Sequence, residues 1–190
     1  MIRTLLCILP AAILAASPVS AQETLLRLDP AQTKIEFTLG SMLHTVHGTF
    51  QLKRGEIRFD PVTGKASGEV VVDAASGSSG NQSRDGRMHR VVLESERYPE
   101  IIFRPDRVEG ELAAQGKSSV ELHGSFSIHG AEHEVTVPVD VEVSDGQLTT
   151  DIHFSVPYVK WGLKNPSTLI LRVGDHVDIT IHTAARPAAR

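Results

Sequence analysis

Val135-Thr136-Val137-Pro138-Val139-Asp140-Val141-Glu142-Val143 carries a valine at every second position. Successive side chains of an extended strand point to opposite faces, so this stretch has one wholly apolar face and one mixed face. Pro138 falls on the mixed face. It cannot donate to a ladder, which predicts an edge, a bulge or a closing seam near it. The same two-residue rhythm spreads outward in both directions. C-terminally it runs through Gln147–Val156, Thr168–Val173 and His176–His182, with Asp145-Gly146 and Gly174-Asp175 as turn pairs. N-terminally it covers Ser118–Ile128 and Ile101–Val108, then Ala66–Asp73, Glu56–Asp60, Val46–Lys53, Lys34–Leu39 and Leu25–Leu28. Asp29-Pro30, Arg54-Gly55 and Pro61–Gly64 read as the turns between the earlier strands, and Ala75–Gln82 as a Ser/Gly-rich loop.

One stretch breaks the rhythm. Ser83–Phe103 crowds charges and reads as helical from Arg84 to Arg97, with Ser83 or Asp85 as its cap and Tyr98-Pro99 as its stop. Met88, Val91, Val92 and Leu93 form its apolar side, which predicts a crossover packed against a sheet as a lid or plug.

Residues 1–21 read as an export leader: Arg3, an apolar run from Leu5 to Ala16, and small residues Val19 and Ala21 before a cleavage site. The run is too short to span a bilayer, so no integral membrane anchor is expected. The single cysteine, Cys7, lies in this leader, which excludes disulfides and thiolate chemistry from the remainder. Roughly 170 residues then remain, enough for one domain with a sizeable core, assigned to 22–183 with a frayed tail at 184–190. The formal net charge is −4 and becomes more negative when Arg3 leaves, which argues against nucleic-acid partners. A periplasmic or secreted location follows from the leader.

The fold class is therefore antiparallel all-β. All six phenylalanines, Phe37, Phe50, Phe59, Phe103, Phe126 and Phe154, fall on the apolar register of their strands. One enclosed face and one wet face suit a closed barrel, although a two-sheet sandwich carries the same alternation. About eight strands would admit one small ligand. The apolar register is either a filled core or the wall of a cavity. If a wall, it comprises the six phenylalanines with Leu39, Val72, Ile101, Leu122, Ile152 and Leu171.

Chemistry-bearing residues are sparse. The nine histidines include the close pairs His44/His47 and His129/His133, while His123, His153 and His182 lie on the polar register. None shows a convergent set of three ligands, so no metal is expected. No nucleophile elbow or phosphate-binding glycine loop is present, so no catalytic residue is assigned and no cofactor is expected. Arg84-Asp85 has two readings. Either it caps and ties the helix, or Arg84 with Arg87 and His89 gathers an anionic headgroup at a rim.

Several motifs in order carry a resemblance: Asp29-x3-Thr33-x-Ile35-x-Phe37, His44–Phe50 (HTVHGTF), Gly55–Pro61 (GEIRFDP), Arg84-Asp85 followed by Arg97–Phe103 (RYPEIIF), and His123–Gly130 with Val135–Val139. Over Leu28–Ile181 the chain resembles the YceI-like family of lipocalin-like, polyisoprenoid-binding periplasmic proteins. That resemblance implies an antiparallel barrel of eight or slightly more strands with one short helical crossover. It also implies a bound polyisoprenoid or similar amphiphilic lipid, export, and no covalent chemistry. After Arg84-Asp85 the family carries a Leu and paired aromatics where this chain has Arg90–Glu96 (RVVLESE), a difference expected to bear on the pocket mouth. The reading is a lipid carrier. Its rivals are an enzyme using an interior histidine as base, and a stress or adhesion module with a filled core. An exposed edge near Pro138 would allow a homodimer.

Overall fold

A computed structural model describes residues 23–42, 44–168 and 172–187. The expected leader, Leu171 and the last three residues of the expected tail lie outside the described residues. Eight strands form one closed antiparallel barrel, each pairing with its sequence neighbours and the last with the first. They are β1 (Thr24–Leu39), β2 (Val46–Phe59), β3 (Ala66–Ser78), β4 (Glu100–Glu109), β5 (Gly116–Ile128), β6 (Ala131–Ser144), β7 (Gln147–Val156) and β8 (Val177–Pro187). Closure settles barrel against sandwich, since β1 meets β8 from Leu26↔Pro187 to Thr38↔Asp178.

Several boundaries differ from the sequence reading, for local reasons. Asp29-Pro30 does not separate two strands. It is a bulge inside β1, where the Asp29 carboxylate accepts from Ala31 N (2.9 Å) and the register shifts on both sides. Arg54-Gly55 likewise lies within β2, just past a bulge at Lys53. The first half of the Ser/Gly-rich loop, Ala75–Ser78, continues β3. Thr168 and Arg172 are not in a strand, and Val173 makes only a single bridge to Ser41. β8 runs through the first residues of the expected tail because Ala185 completes ladders to both Leu28 and Leu148 and is buried.

The crossover is helical but shifted. Helix α1 (Gln82–Arg87) runs on as a wide π-type turn over Met88–Leu93. Its N-cap is Asn81, whose side chain accepts from Arg84 N at 3.1 Å, rather than Ser83 or Asp85. It ends at Glu94, in the left-handed conformation, before Tyr98-Pro99 is reached. Arg84 and Asp85 both bind Ser79. Arg84 donates to Ser79 Oγ (2.6 Å) and to its carbonyl (2.9 Å), and Ser79 N donates to Asp85 (2.9 Å). Burial works against the Asp85 carboxylate, but the Ser79 hydrogen bonds and the Arg84 charge outweigh it and lower its pKa.

The barrel has two unlike ends. Among the described residues, one bears the short connections 60–65, 110–115 and 145–146 together with the start of β1 and the end of β8. The other receives the crossover and the connection from β7 to β8. There Leu93, Ile128, Val156, Tyr158 and Leu163 form a buried cluster, with Leu39, Phe50, Met88, Val92 and Trp161 packed on it. Two glycines let these layers meet. A Cβ at Gly77 would lie 2.6 Å from the Phe50 ring, and one at Gly48 would lie 2.3 Å from Phe37 and 2.4 Å from the Ser78 carbonyl. Gly48→Ala is expected to lower stability by about 1–3 kcal/mol, read from the urea midpoint. Gly40→Ala, where a Cβ meets nothing within 4 Å, should leave it unchanged.

Candidate functional site: an apolar cavity in the barrel

The inward register of all eight strands lines a cavity of about 170 Å³. Its wall comprises Leu26, Leu28 and Ile35 of β1, Leu52, Ile57 and Phe59 of β2, and Val70 and Val72 of β3. Phe103 and Val108 of β4, Val120, Leu122 and Phe126 of β5, and Val137, Val139 and Val141 of β6 continue it. Leu148, Ile152 and Phe154 of β7 close the ring with Ile181 and Ala185 of β8. The polar side chains in the lining are Thr33, Thr150 and Thr183. Thr33 donates to the Asp29 carbonyl (2.8 Å) and shares a 2.7 Å hydrogen bond with Thr183, so these hydroxyls are satisfied without a ligand. No titratable side chain is among the described lining residues.

The cavity reaches the surface at the short-loop end through Leu112, which is 36% exposed. The crossover end is shut by the Leu93–Ile128–Val156–Tyr158–Leu163 cluster. The 82–93 segment is therefore a plug at the closed end, and Arg90–Glu96 lies there rather than at the mouth.

Seven of the expected wall residues line the cavity: Phe59, Val72, Phe103, Leu122, Phe126, Ile152 and Phe154. Phe37, Leu39, Phe50 and Ile101 share the inward register but sit in the plugged half. Phe37 is 5% exposed with its ring 5.4 Å from Phe50, while Leu39, Phe50 and Ile101 pack on the buried cluster. Leu171 lies outside the described residues. The missed wall residues, such as Leu28, Leu52, Val120, Val139 and Ile181, obey the same period of two. Leu112 does not, because it lies in a connection.

The expected headgroup residues are on the closed end. Arg84 is held by Ser79, and His89 Nε2 meets the Gly77 carbonyl at 2.9 Å with Ser95 Oγ 3.3 Å from Nδ1. Because a carbonyl only accepts, Nε2 carries a proton in that contact. Arg87 stands on the same helix.

Pro138 marks a local opening in the sheet. β6 pairs with β7 only from Val139↔Ile152 to Ser144↔Gln147, so Ala131–Pro138 pairs with β5 alone. Beside this gap Trp161 stacks on His133, with centroids 4.2 Å apart and planes 4° apart, and its ring lies 5.6 Å from Phe126. Next to it, Glu94 pairs with Lys164 Nζ (3.8 Å) and lies 3.4 Å from the shielded His129 Nε2, bringing the end of the crossover against two other connections.

Tyr158 locks the closed end by donating to the Gly174 carbonyl at 2.6 Å. Burial, with Asp175 adding to it, pushes its phenol up to about 12. Because the folded value is raised, this contribution to stability is complete below the ordinary tyrosine pKa and is lost as pH rises from about 10 to about 12. Tyrosinate absorbance should show one phenol titrating near 12 until the protein unfolds. Tyr158→Phe should remove that step and cost about 1 kcal/mol.

A closed eight-stranded barrel with an apolar interior open at one end defines a lipocalin-like β-barrel class. Within it, the chain belongs to the YceI-like domain family, whose profile matches residues 26–185. Structurally it is similar to BcnA of Burkholderia cenocepacia (22% identity over 83% of this chain and 98% of that one, TM-score 0.66). It is also similar to a polyisoprenoid binding domain from Saccharophagus degradans implicated in plant cell wall breakdown (14%, 86% and 98%, TM-score 0.63). A third similar structure is the Campylobacter jejuni YCEI protein (14%, 100% and 100%, TM-score 0.58). The comparison with curated proteins returns no match. Among the described residues no helix is long and apolar enough to cross a membrane.

Proposed function

We propose that this protein is an exported carrier that holds one linear apolar chain, of isoprenoid or similar amphiphilic type, along the barrel axis. The observation that carries the reading is incomplete burial of the large side chains of the inward register, while smaller ones such as Val137, Val139 and Val141 are buried. Phe59, Phe103, Phe126, Phe154, Leu122 and Ile152 point into the barrel yet are only partly buried, as expected of a wall facing unfilled space. In a filled core such residues would lose nearly all their exposure.

Size narrows the occupant. Pockets for drug-sized ligands run roughly 300–1,000 Å³, whereas an apolar protein cavity of about 150 Å³ holds a benzene. The 170 Å³ here is nearer the second, with room for a short length of a single chain and not for a fused ring system. A longer chain would extend it by shifting the phenylalanine rotamers. Each buried methylene contributes about 0.8 kcal/mol, so affinity grows with chain length without any polar contact. The polyisoprenoid binding named for the Saccharophagus degradans domain supports the ligand class. The leader-like residues 1–21 support export. A lining without a titratable group supports binding over acid–base chemistry.

With one end plugged, the chain enters tail first past Leu112 and leaves its headgroup outside the short-loop end. Native mass spectrometry of the exported protein should show a bound mass that organic extraction removes. Phe154→Asp, deep in the wall, should abolish that adduct. Leu112→Asp, at the exposed mouth, should reduce it severalfold with the fold intact. Arg84→Ala at the closed end should retain it. An adduct that survives Leu112→Asp but disappears with Arg84→Ala would place the entrance at the other end. A protein that never carries an extractable mass, even after incubation with a prenyl lipid, would leave the filled-core reading standing.

A further inference from the structure

On the outer wall, away from the cavity, β4 and β5 bring together Glu109, Glu121 and His123. One ligand atom of each lies within 4.8 Å of the others, the only such group of three among the described residues. Register creates the cluster. Glu109 stands directly opposite Glu121, and Arg107 opposite His123. Two carboxylates face to face across an antiparallel pair repel one another. On its other side Glu121 faces Pro138, and it makes no ion pair among the described residues. Arg107 takes only one oxygen of Glu109, at 2.9 Å, and so orients the carboxylate with its other oxygen toward His123.

The histidine is the informative member. Its side chain is 19% exposed, and Nε2 is shielded from solvent without a hydrogen-bond partner. That nitrogen faces Glu109 Oε2 at 3.4 Å. The other ring nitrogen lies 2.8 Å from Thr136 Oγ. Either the ring or the hydroxyl can donate in that contact; with the proton on Nδ1 the ring presents a lone pair at Nε2, the usual arrangement of a metal-bound imidazole. Tetrahedral ligands with bonds of about 2.0–2.2 Å sit about 3.3–3.6 Å apart. The observed Nε2–Oε2 separation already matches this edge.

We propose that Glu109, Glu121 and His123 form a binding site for a divalent transition-metal cation of the zinc type, with water completing the shell. Such an ion satisfies the orphaned nitrogen, relieves the Glu109–Glu121 repulsion and ties β4 to β5. The ion would sit on the outer face, apart from the apolar interior. The site is independent of the carrier reading, because none of its residues lines the cavity.

The test uses the full chain without an affinity tag. Zn2+ is titrated against a chromophoric chelator, and Co2+ is added as a spectroscopic substitute. One equivalent of Zn2+ should bind, and Co2+ should give the visible bands of a low-coordinate N/O site. Glu121→Gln and Thr136→Val should each weaken binding by about tenfold or more, and His123→Ala should abolish it, with circular dichroism unchanged. His182→Ala, which removes the separate His182–Asp151 pair, should bind like the parent. The site is refuted if the parent binds no stoichiometric ion, if His123→Ala binds normally, or if His182→Ala is the variant that loses the metal.

Discussion

The β1–β8 ladder is the constraint on which everything else in this barrel rests. Leu28↔Ala185, Ile35↔Ile181 and Phe37↔Ile179 close the sheet on itself, and closure turns a period-two pattern into an inside and an outside. Without that seam the apolar faces of β1 and β8 would end at open edges. With it, Ile35, Ile181 and Ala185 become parts of one continuous wall. The seam also tolerates its own irregularity. The Asp29-Pro30 bulge falls where a proline could not have donated, and Asp29 side-chain hydrogen bonds satisfy the residues that follow.

Inside the closed sheet, one register serves two purposes. Toward the crossover it packs solidly, because Leu93 and its neighbours from the 82–93 segment, together with Tyr158 and Leu163, descend onto Phe50, Phe126 and Phe154. Toward the short loops Val120, Val139 and Val141 still form a small buried cluster, but among the described residues no connection packs onto it, and Phe59, Phe103 and their neighbours are left partly exposed around the cavity. The division between core and cavity therefore reflects the connections, not the strands. Phe126 touches both regions, lining the cavity and standing against Trp161.

Outside, the polar register is organised by the same ladders. Lys53 and Arg54 share Glu100, Arg54 also holds Glu69, and Arg104 reaches Glu69 at 3.6 Å, a network spanning β2, β3 and β4. Exposed pairs of this kind each contribute little. Their pattern shows how thoroughly the outer face is neutralised. Against that background Glu121, facing Glu109 and Pro138 without an ion pair among the described residues, stands beside the shielded Nε2 of His123, and that conjunction sets the cluster apart from the surface pairs.

Much of this was legible in the residues themselves. Alternation from Leu25 to His182 specified the all-β class, the inward position of every phenylalanine and most of the wall, because side-chain direction in a strand follows from covalent geometry alone. The motifs around Arg84-Asp85 and Tyr98–Phe103 pointed to the family. Tertiary structure alone decided what depends on approach between distant segments. Phe37 and Phe50 became core while Phe59 and Phe103 became wall, because only one end receives a plug. Arg84 and His89 were drawn onto Ser79 and Gly77 instead of a rim. Glu109 met Glu121 and His123 only through the β4–β5 register, a relation that periodicity within a single strand does not contain.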